Sequence, residues 1–203
     1  KRQEENDVPD DFKYLAVIES GLRNLVSPAK AEGVWQILKS TGQGYGLTIN
    51  SEVDERYDIE KACVAACKYF KEAHEKFDNW TLAAASYNMG MGGVSSKLKS
   101  QGVDSYYDLL LNSETSRYVL RALAFKAIYS DPAKYGFYID NDDLYEPIEY
   151  RTVEVKSSIT DLATFAKKEG TTYKMVKTLN PWLRSTKLTV ATGKVYEIKL
   201  PMK

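Results

Sequence analysis

The sequence has few of the residues that build disulfide frameworks and metal sites, with two cysteines and one histidine in 203 residues. Cys63 and Cys67 lie four positions apart on one helical stripe, where a disulfide within a regular helix is geometrically awkward. A metal ion would need more ligands than two thiols and His74. We therefore predict that both cysteines are small core residues and that the protein has no metal site and no cofactor.

Net charge and long apolar runs are also missing. Lysine plus arginine and aspartate plus glutamate number 28 each, so no overall field draws the chain to nucleic acid or to an anionic membrane. No apolar run approaches the roughly 20 residues that cross a bilayer. The chain starts at Lys1, so an expected signal peptide or membrane anchor would precede it. The oligomeric state stays open.

Apolar residues are present in helical spacing from about residue 10 to residue 130, and none of this region alternates convincingly as a strand. Glycine-rich breaks occur at TGQGYG and NMGMGG. The segments predicted to be helical are 10–22, about 29–40, 59–77, 79–88, 104–111 and 114–130. The pattern predicts a mainly α domain over residues 8–138.

The character of the sequence changes at residues 139–149, which are acidic and aromatic, contain Pro147 and lose the helical period. We predict a linker there. Residues 150–203 then show the pattern strand, helix, helix, strand. A unit of this size is near the lower limit for independent folding, so we expect a small α+β domain that also packs on the helical domain.

Glu19 lies on the apolar face of the first predicted helix, in the stretch FKYLAVIESGLRNL. The positions that share this face are Phe12, Leu15, Ala16, Glu19 and Leu22. A carboxyl group in apolar surroundings keeps its proton to higher pH, which general-acid chemistry requires. The alternative is that Glu19 turns outward or pairs with a neighbour such as Arg23.

Three further polar motifs interrupt apolar segments: GVWQIL with Gln36, AAASYNMG with Tyr87 and Asn88, and SETSRYV with Tyr118. Each has a structural alternative. Gln36 can lie on an exposed edge, Asn88 can cap a helix before Gly90, and Tyr118 can be a core ring.

Taken together and in this order, the motifs resemble the lytic transglycosylase family, whose SLT domain has a goose-type lysozyme fold, over about residues 8–138. The matching positions are Glu19 and Ser20, then Gly33 to Gln36, then Ser86, Tyr87 and Asn88, and finally Tyr118 preceded by Glu114 and Thr115. The stretches SPAKAEGVWQ and VDERYD are similar to the membrane-bound D branch of this family. That pattern implies a structural ion pair of Arg56 that holds a loop.

The resemblance implies an enzyme of the periplasm or cell envelope whose partners are peptidoglycan glycan strands. It would cleave the β-1,4 bond between N-acetylmuramic acid and N-acetylglucosamine and form 1,6-anhydro ends. Glu19 would be the general acid and then the base, and Tyr118, the second catalytic residue, would position it. The residues expected to bind substrate are Ser20, Trp35, Gln36, Tyr87 and Asn88.

Two other functions stay open. A lysozyme-type hydrolase would need a second carboxylate across the cleft, and the available acids are Glu52, Asp54, Glu55 and Glu114. A non-catalytic peptidoglycan-binding protein would keep the groove without the acid. The C-terminal unit resembles a divergent LysM domain, a fold that binds N-acetylglucosamine-containing chains, but lacks the usual glycine-aspartate-threonine run. It either binds glycan or is an inert packing module.

Overall fold

A computed structural model describes residues 6–202, so the expected last residue of the C-terminal unit, Lys203, lies outside the described residues. The α-helices are α1 (Lys13–Ser20), α2 (Lys39–Gly44), α3 (Ile59–Phe77), α4 (Trp80–Met89), α5 (Met91–Gln101), α6 (Ser113–Ser130), α7 (Leu162–Lys168) and α8 (Tyr173–Leu179). The strands are β1 (Leu25–Val26), β2 (Glu32–Gly33), β3 (Tyr150–Val155) and β4 (Tyr196–Pro201). The predicted fold class, a mainly α domain followed by a βααβ unit, is confirmed.

The long helices α3, α4 and α6 begin and end within one residue of their predicted limits. Their starts are set by side-chain caps. Asp58 accepts from two backbone N–H groups at the start of α3, Asn79 from Leu82 in α4, and Asn112 from Thr115 in α6. Helices α3 and α6 both pack on α4, and this places the predicted apolar stripes in one core.

The helix predicted over about 29–40 is wrong, as is the statement that this part of the chain has no strand. Leu25 pairs with Gly33 in a short antiparallel hairpin, and helix α2 begins only at Lys39. Gly33 and Gln36 have φ of 82° and 49°, in the left-handed region that a regular helix does not use. Helix α1 also ends early, at Ser20, because Gly21 adopts φ 60°. Leu22 is therefore 54% exposed rather than on the core face.

Between residues 88 and 111 one helix was not predicted and one predicted helix is wrong. The glycine-rich stretch NMGMGG contains only a one-residue break, at Gly90, after which α5 begins. Burial of Val94 compensates for the helix-weakening glycines of α5. The helix predicted over 104–111 is reduced to the 3-10 turn Tyr106–Asp108.

The C-terminal unit is a two-stranded antiparallel sheet with α7 and α8 between its strands along the chain. Its register runs from Tyr150 opposite Pro201 to Val155 opposite Tyr196. Its buried core also contains Val53 and Tyr57 from the helical part of the chain. The expected packing of this unit on the helical domain is thereby confirmed. The limits expected for the linker and the two domains stay predictions.

Both cysteines are unbridged and buried on α3, as predicted. Between residues 6 and 202, no helix is long and apolar enough to cross a membrane. The same described residues contain no group of three histidine, cysteine or acidic side chains placed to hold a metal ion.

Candidate active site

Glu19 and Tyr118 meet where the last turn of α1 packs on the first turns of α6. The Tyr118 hydroxyl donates a hydrogen bond of 2.6 Å to Oε1 of Glu19, although the residues are 99 positions apart. Tyr118 is buried, whereas Glu19 is half-buried beside the core residues Leu15 and Ala16. The apolar face predicted for α1 therefore carries Glu19, with its carboxyl on a buried tyrosine.

Burial raises the pKa of Glu19 from 4.5 to about 6, as expected for a carboxyl group on an apolar face. The hydrogen bond from Tyr118 lowers this pKa and the nearby charge of Glu114 raises it. Burial and the Glu19 charge hold the pKa of Tyr118 well above its ordinary value, so its hydroxyl keeps the proton that it donates. The ion pair of Glu19 with Arg23 does not occur among the ion pairs of residues 6–202.

Asn88, at the end of α4, is bound at both ends of its amide by the start of α6. Its Nδ2 donates to Oε1 of Glu114 at 3.0 Å, and its Oδ1 accepts from the Thr115 hydroxyl at 2.8 Å. Glu114 is also the nearby charge that raises the pKa of Glu19.

The other three acids considered as a second carboxylate are engaged elsewhere. The carboxylate of Glu52 accepts from Thr189, and that of Asp54 pairs with Arg56. Glu55 is buried and ion-paired to a lysine of α3. Of the four candidates, only Glu114 affects the pKa of Glu19.

Gln36 follows the hairpin and borders an open groove of about 300 Å³. Its side-chain amide donates to the backbone carbonyls of Gly33 (2.8 Å) and Leu25 (3.1 Å), which fixes its orientation. The groove residues that carry polar or aromatic side chains are Gln36, Thr41, Tyr45, Tyr69, Tyr87 and Asn88. Burial and the charge of Glu19 raise the pKa of Tyr87, which lines the groove, well above its ordinary value.

Tyr45 and Tyr69 line the groove but were not predicted from the sequence, and their rings meet edge to face at 6.0 Å between centroids. Tyr69 also lies on α3, and its ring packs on Tyr87 in the same groove. The sequence signal that could have indicated Tyr69 is its position next to the buried apolar stripe of α3. Tyr45 is brought to the groove only by the turn after α2.

Two residues expected to bind substrate have buried side chains. Ser20 is 4% exposed, and its hydroxyl donates to the Val34 carbonyl at 2.7 Å, so it ties α1 to the hairpin. Trp35 is 3% exposed, and its ring packs on Phe70 and Tyr87. Neither side chain is placed to touch a glycan in the groove.

Arg56 is the buried centre of the loop that supports the hairpin. Its guanidinium forms two hydrogen bonds to Asp54 (2.9 and 2.6 Å) and an ion pair with Glu32 (3.1 Å). It also donates to the carbonyl of Lys30, between the two hairpin strands, and to that of Ile37, after the second strand, at 3.2 Å each. The expected ion pair that holds a loop is confirmed.

The mainly α domain thus carries the Glu19–Tyr118 pair and a groove bordered by Gln36, Tyr87 and Asn88. The chain belongs to the transglycosylase SLT domain family, which matches residues 1–109. The family described as soluble lytic transglycosylase C-terminal LysM-like domain matches residues 151–203. Both resemblances found in the sequence are thereby confirmed.

Two curated relatives match nearly the whole chain. They are the membrane-bound lytic murein transglycosylase D of Escherichia coli strain K12 and the protein of the same name from Escherichia coli O6:H1. Each is 30% identical over 202 residues, which cover 97% of this chain and 44% of the relative. The chain thus spans less than half the length of these relatives.

Proposed function

We propose that this protein is a peptidoglycan lytic transglycosylase. It would cleave the β-1,4 bond between N-acetylmuramic acid and N-acetylglucosamine and leave 1,6-anhydro-N-acetylmuramic acid ends. The observation that carries the proposal is the half-buried Glu19, hydrogen-bonded to Tyr118, with its pKa raised to about 6. An acid with this pKa is present in both protonation states near neutral pH, as a group that gives and retakes a proton requires.

In the first step, protonated Glu19 donates to the glycosidic oxygen and the C1–O bond breaks. Because Oε1 accepts from the Tyr118 hydroxyl, the transferable proton is assigned to Oε2. Positive charge that develops at C1 would be stabilised by the oxygen of the substrate's own 2-acetamido group, as in substrate-assisted glycosidases. This role requires no second carboxylate, and three of the four candidate acids are engaged elsewhere.

In the second step, the Glu19 carboxylate takes the proton of the C6 hydroxyl, whose oxygen attacks C1 and closes the anhydro ring. The acid is thereby returned to its starting state, and no water is added. Tyr118 remains the hydrogen-bond donor throughout, since its pKa lies well above the ordinary value. Its role is to orient the carboxyl group while charge appears and disappears on it.

We assign substrate binding to the side chains that border the groove, Gln36, Tyr87 and Asn88. Gln36 is oriented by the carbonyls of Gly33 and Leu25, and Asn88 by α6, so both amides are pre-arranged for hydrogen bonds to sugar hydroxyl or acetamido groups. The Tyr87 ring offers a flat apolar surface at the same groove.

Mass spectrometry of the products from purified peptidoglycan tests this proposal. The expected muropeptides are one water lighter than those of a lysozyme, and Glu19→Gln protein should release none. Reducing-end products of hydrated mass would identify a hydrolase, with Glu114 as the first residue to test for holding the water. Glycan binding without any product would identify a binding protein.

We also assign the protein to the cell envelope, because its proposed substrate lies there and both curated relatives are named as membrane-bound. Fractionation of cells that produce the full-length protein, followed by immunodetection, tests this assignment. Recovery in the cytoplasm would contradict it.

A further inference from the structure

The loop of residues 48–57, here called the bridging loop, is bound from one side by the C-terminal unit. The Asp54 N–H donates to the Trp182 carbonyl at 2.9 Å, and the Arg184 N–H donates to the Glu52 carbonyl at 2.7 Å. Between them, Val53 forms an antiparallel bridge with Leu183. The segment that joins α8 to β4 therefore pairs with the bridging loop through its backbone.

Side chains reinforce this pairing at both ends. The carboxylate of Glu52 accepts from the backbone N–H (2.6 Å) and the hydroxyl (3.2 Å) of Thr189, and it forms an ion pair with Lys187 at 3.2 Å. The Arg184 guanidinium lies 4.1 Å from the centre of the Tyr57 ring.

Burial shows that the contact is part of a core and not only a surface contact. Val53 is 1% exposed and Tyr57 6% exposed, and both belong to the apolar cluster built around Leu183 and Ile198 of the C-terminal unit. Separating the two parts of the chain would expose these side chains to water, at the usual cost of uncovering apolar surface. The C-terminal unit therefore shares a buried core with the bridging loop.

The other side of the bridging loop supports the hairpin that precedes Gln36. Arg56 donates to the carbonyl of Lys30 in the hairpin loop and to that of Ile37 after the hairpin, and the Tyr57 hydroxyl donates to Oε2 of Glu32 at 2.8 Å. The approach is close: a Cβ atom added to Gly33 would lie 2.0 Å from the Arg56 carbonyl oxygen. The position of the hairpin backbone is therefore set by the bridging loop.

We propose that residues 182–189 of the C-terminal unit are positioning residues for the glycan groove. They hold the bridging loop, which in turn fixes the hairpin and the orientation of Gln36. The C-terminal unit acts as a brace of the groove, and the segment that pairs with the bridging loop is not free to collect glycan. This inference rests on the proposed function for the role of Gln36, but the mechanical link can be measured without activity.

The test uses the full chain with Glu52→Ala and Arg184→Ala combined, which removes the side-chain contacts and leaves the apolar cluster intact. The rescue variant combines Glu52→Gln and Arg184→Lys, which restores an acceptor for Thr189 and a cation over the Tyr57 ring. The control is Glu154→Ala, which breaks an exposed ion pair of the same unit away from the bridging loop.

Hydrogen exchange of the hairpin amides is the first measurement, in particular the reciprocal bonds between Glu32 and Ile37. In the double variant these amides should exchange roughly 3- to 10-fold faster, a range typical of mutations within one contact network. KM for soluble glycan chains should rise by a similar factor. The pH midpoint of kcat should not move, because the pKa of Glu19 is shifted by burial and by Tyr118, Glu114 and Arg121, none of which lies on the hairpin.

The rescue variant should restore most of the protection and the KM, and the control should match the wild type. Unchanged hairpin exchange in the double variant, while the Asp54 and Arg184 amides exchange faster, would overturn the proposal. So would equal loss of protection throughout α3 and α4, which would indicate general destabilisation. If the wild type yields no anhydro product, the proposed function fails, but the exchange data still decide whether the brace exists.

Discussion

Replacing Glu19 by glutamine separates the chemistry of the acid from its effect on stability. The pKa of Glu19 rises from 4.5 to about 6 on folding, an increase of about 1.5. At about 1.4 kcal/mol for each pKa unit, the ionised carboxylate lowers the free energy of unfolding by about 2 kcal/mol. Glutamine has nearly the shape of the protonated acid and carries no charge, so it avoids this loss.

Because folding raises the pKa of Glu19, the stability difference between Glu19→Gln and the wild type depends on pH. Below pH 4.5 the carboxyl group is protonated in both the folded and the unfolded chain, so Glu19→Gln should match the wild type. As the pH rises through 4.5 to 6, the folded protein binds more protons than the unfolded chain, and wild-type stability falls. Above pH 6 to 7 the variant should be more stable by up to about 2 kcal/mol, or roughly 4–8 °C in Tm for a chain of this size.

Turnover of the Glu19→Gln variant, in contrast to its stability, should fall. Because the same carboxyl group is proposed to give and to retake a proton, its loss should lower turnover by at least about 10³-fold, toward the upper end for acid–base groups. Glycan binding should stay close to wild type, since the side-chain volume and the groove are unchanged.

The assay combines thermal unfolding at pH 4 and pH 8 with detection of anhydromuropeptides. Glu72→Gln is the matched control for stability, because Glu72 also accepts a 2.6 Å hydrogen bond from a tyrosine, Tyr45, but at an exposed site. It should show no comparable pH-dependent gain in Tm. A Glu19→Gln protein whose Tm difference is the same at both pH values would refute the burial argument, and full turnover would refute the choice of the acid.

Three further outcomes follow from the contacts of single residues. Tyr118→Phe should lower kcat roughly 10–100-fold with little change in KM. It should also raise the pH midpoint of Glu19, because a hydrogen bond that lowers the pKa of this acid is lost. An unchanged kcat would assign the Tyr118 ring to the core alone. Gly33→Ala should destabilise the fold by about 3 kcal/mol or more in chemical denaturation, because Gly33 has a positive φ and lies close to the Arg56 carbonyl oxygen. The control Gly44→Ala, at a site with open space around it, should be nearly neutral. Equal effects of the two substitutions would contradict the close approach. Arg56→Ala should lower the free energy of unfolding by about 3–5 kcal/mol, because it leaves buried carboxylates unpaired. The exposed control Lys13→Ala should lower it by less than about 1 kcal/mol. A similar small loss at both sites would argue against a buried ion-pair centre.

The sequence pattern alone was sufficient to predict the conformation wherever a helical period or a capping residue decides it. Helix α3 could be predicted because its apolar stripe persists for five turns and Asp58 caps its start. The place of Glu19 on the apolar face follows from the same periodicity, since Leu15 and Ala16 lie beside it on the helix. Burial on such a face raises a carboxyl pKa in any fold, so this part of the site could be inferred before its partners were known.

The ordered motifs also identified Tyr118 as the partner of Glu19, but this came from resemblance and not from spacing, because 99 residues separate them. The same resemblance could not distinguish side chains that border the groove from those that support it. Trp35 and Gln36 are adjacent in the chain, yet one ring lies in the core and the other side chain lies at the groove.

Tertiary structure alone decided the hairpin. Residues 29–40 have an apolar pattern that is compatible with a helix, but Arg56 reaches the carbonyls of Lys30 and Ile37 and requires them in another arrangement. A buried guanidinium with its acids in place offers several charge-assisted hydrogen bonds, whereas helix propensities differ by less than about 1 kcal/mol per residue. Long-range contacts of this kind override local preference, and they turn Gln36 toward the groove.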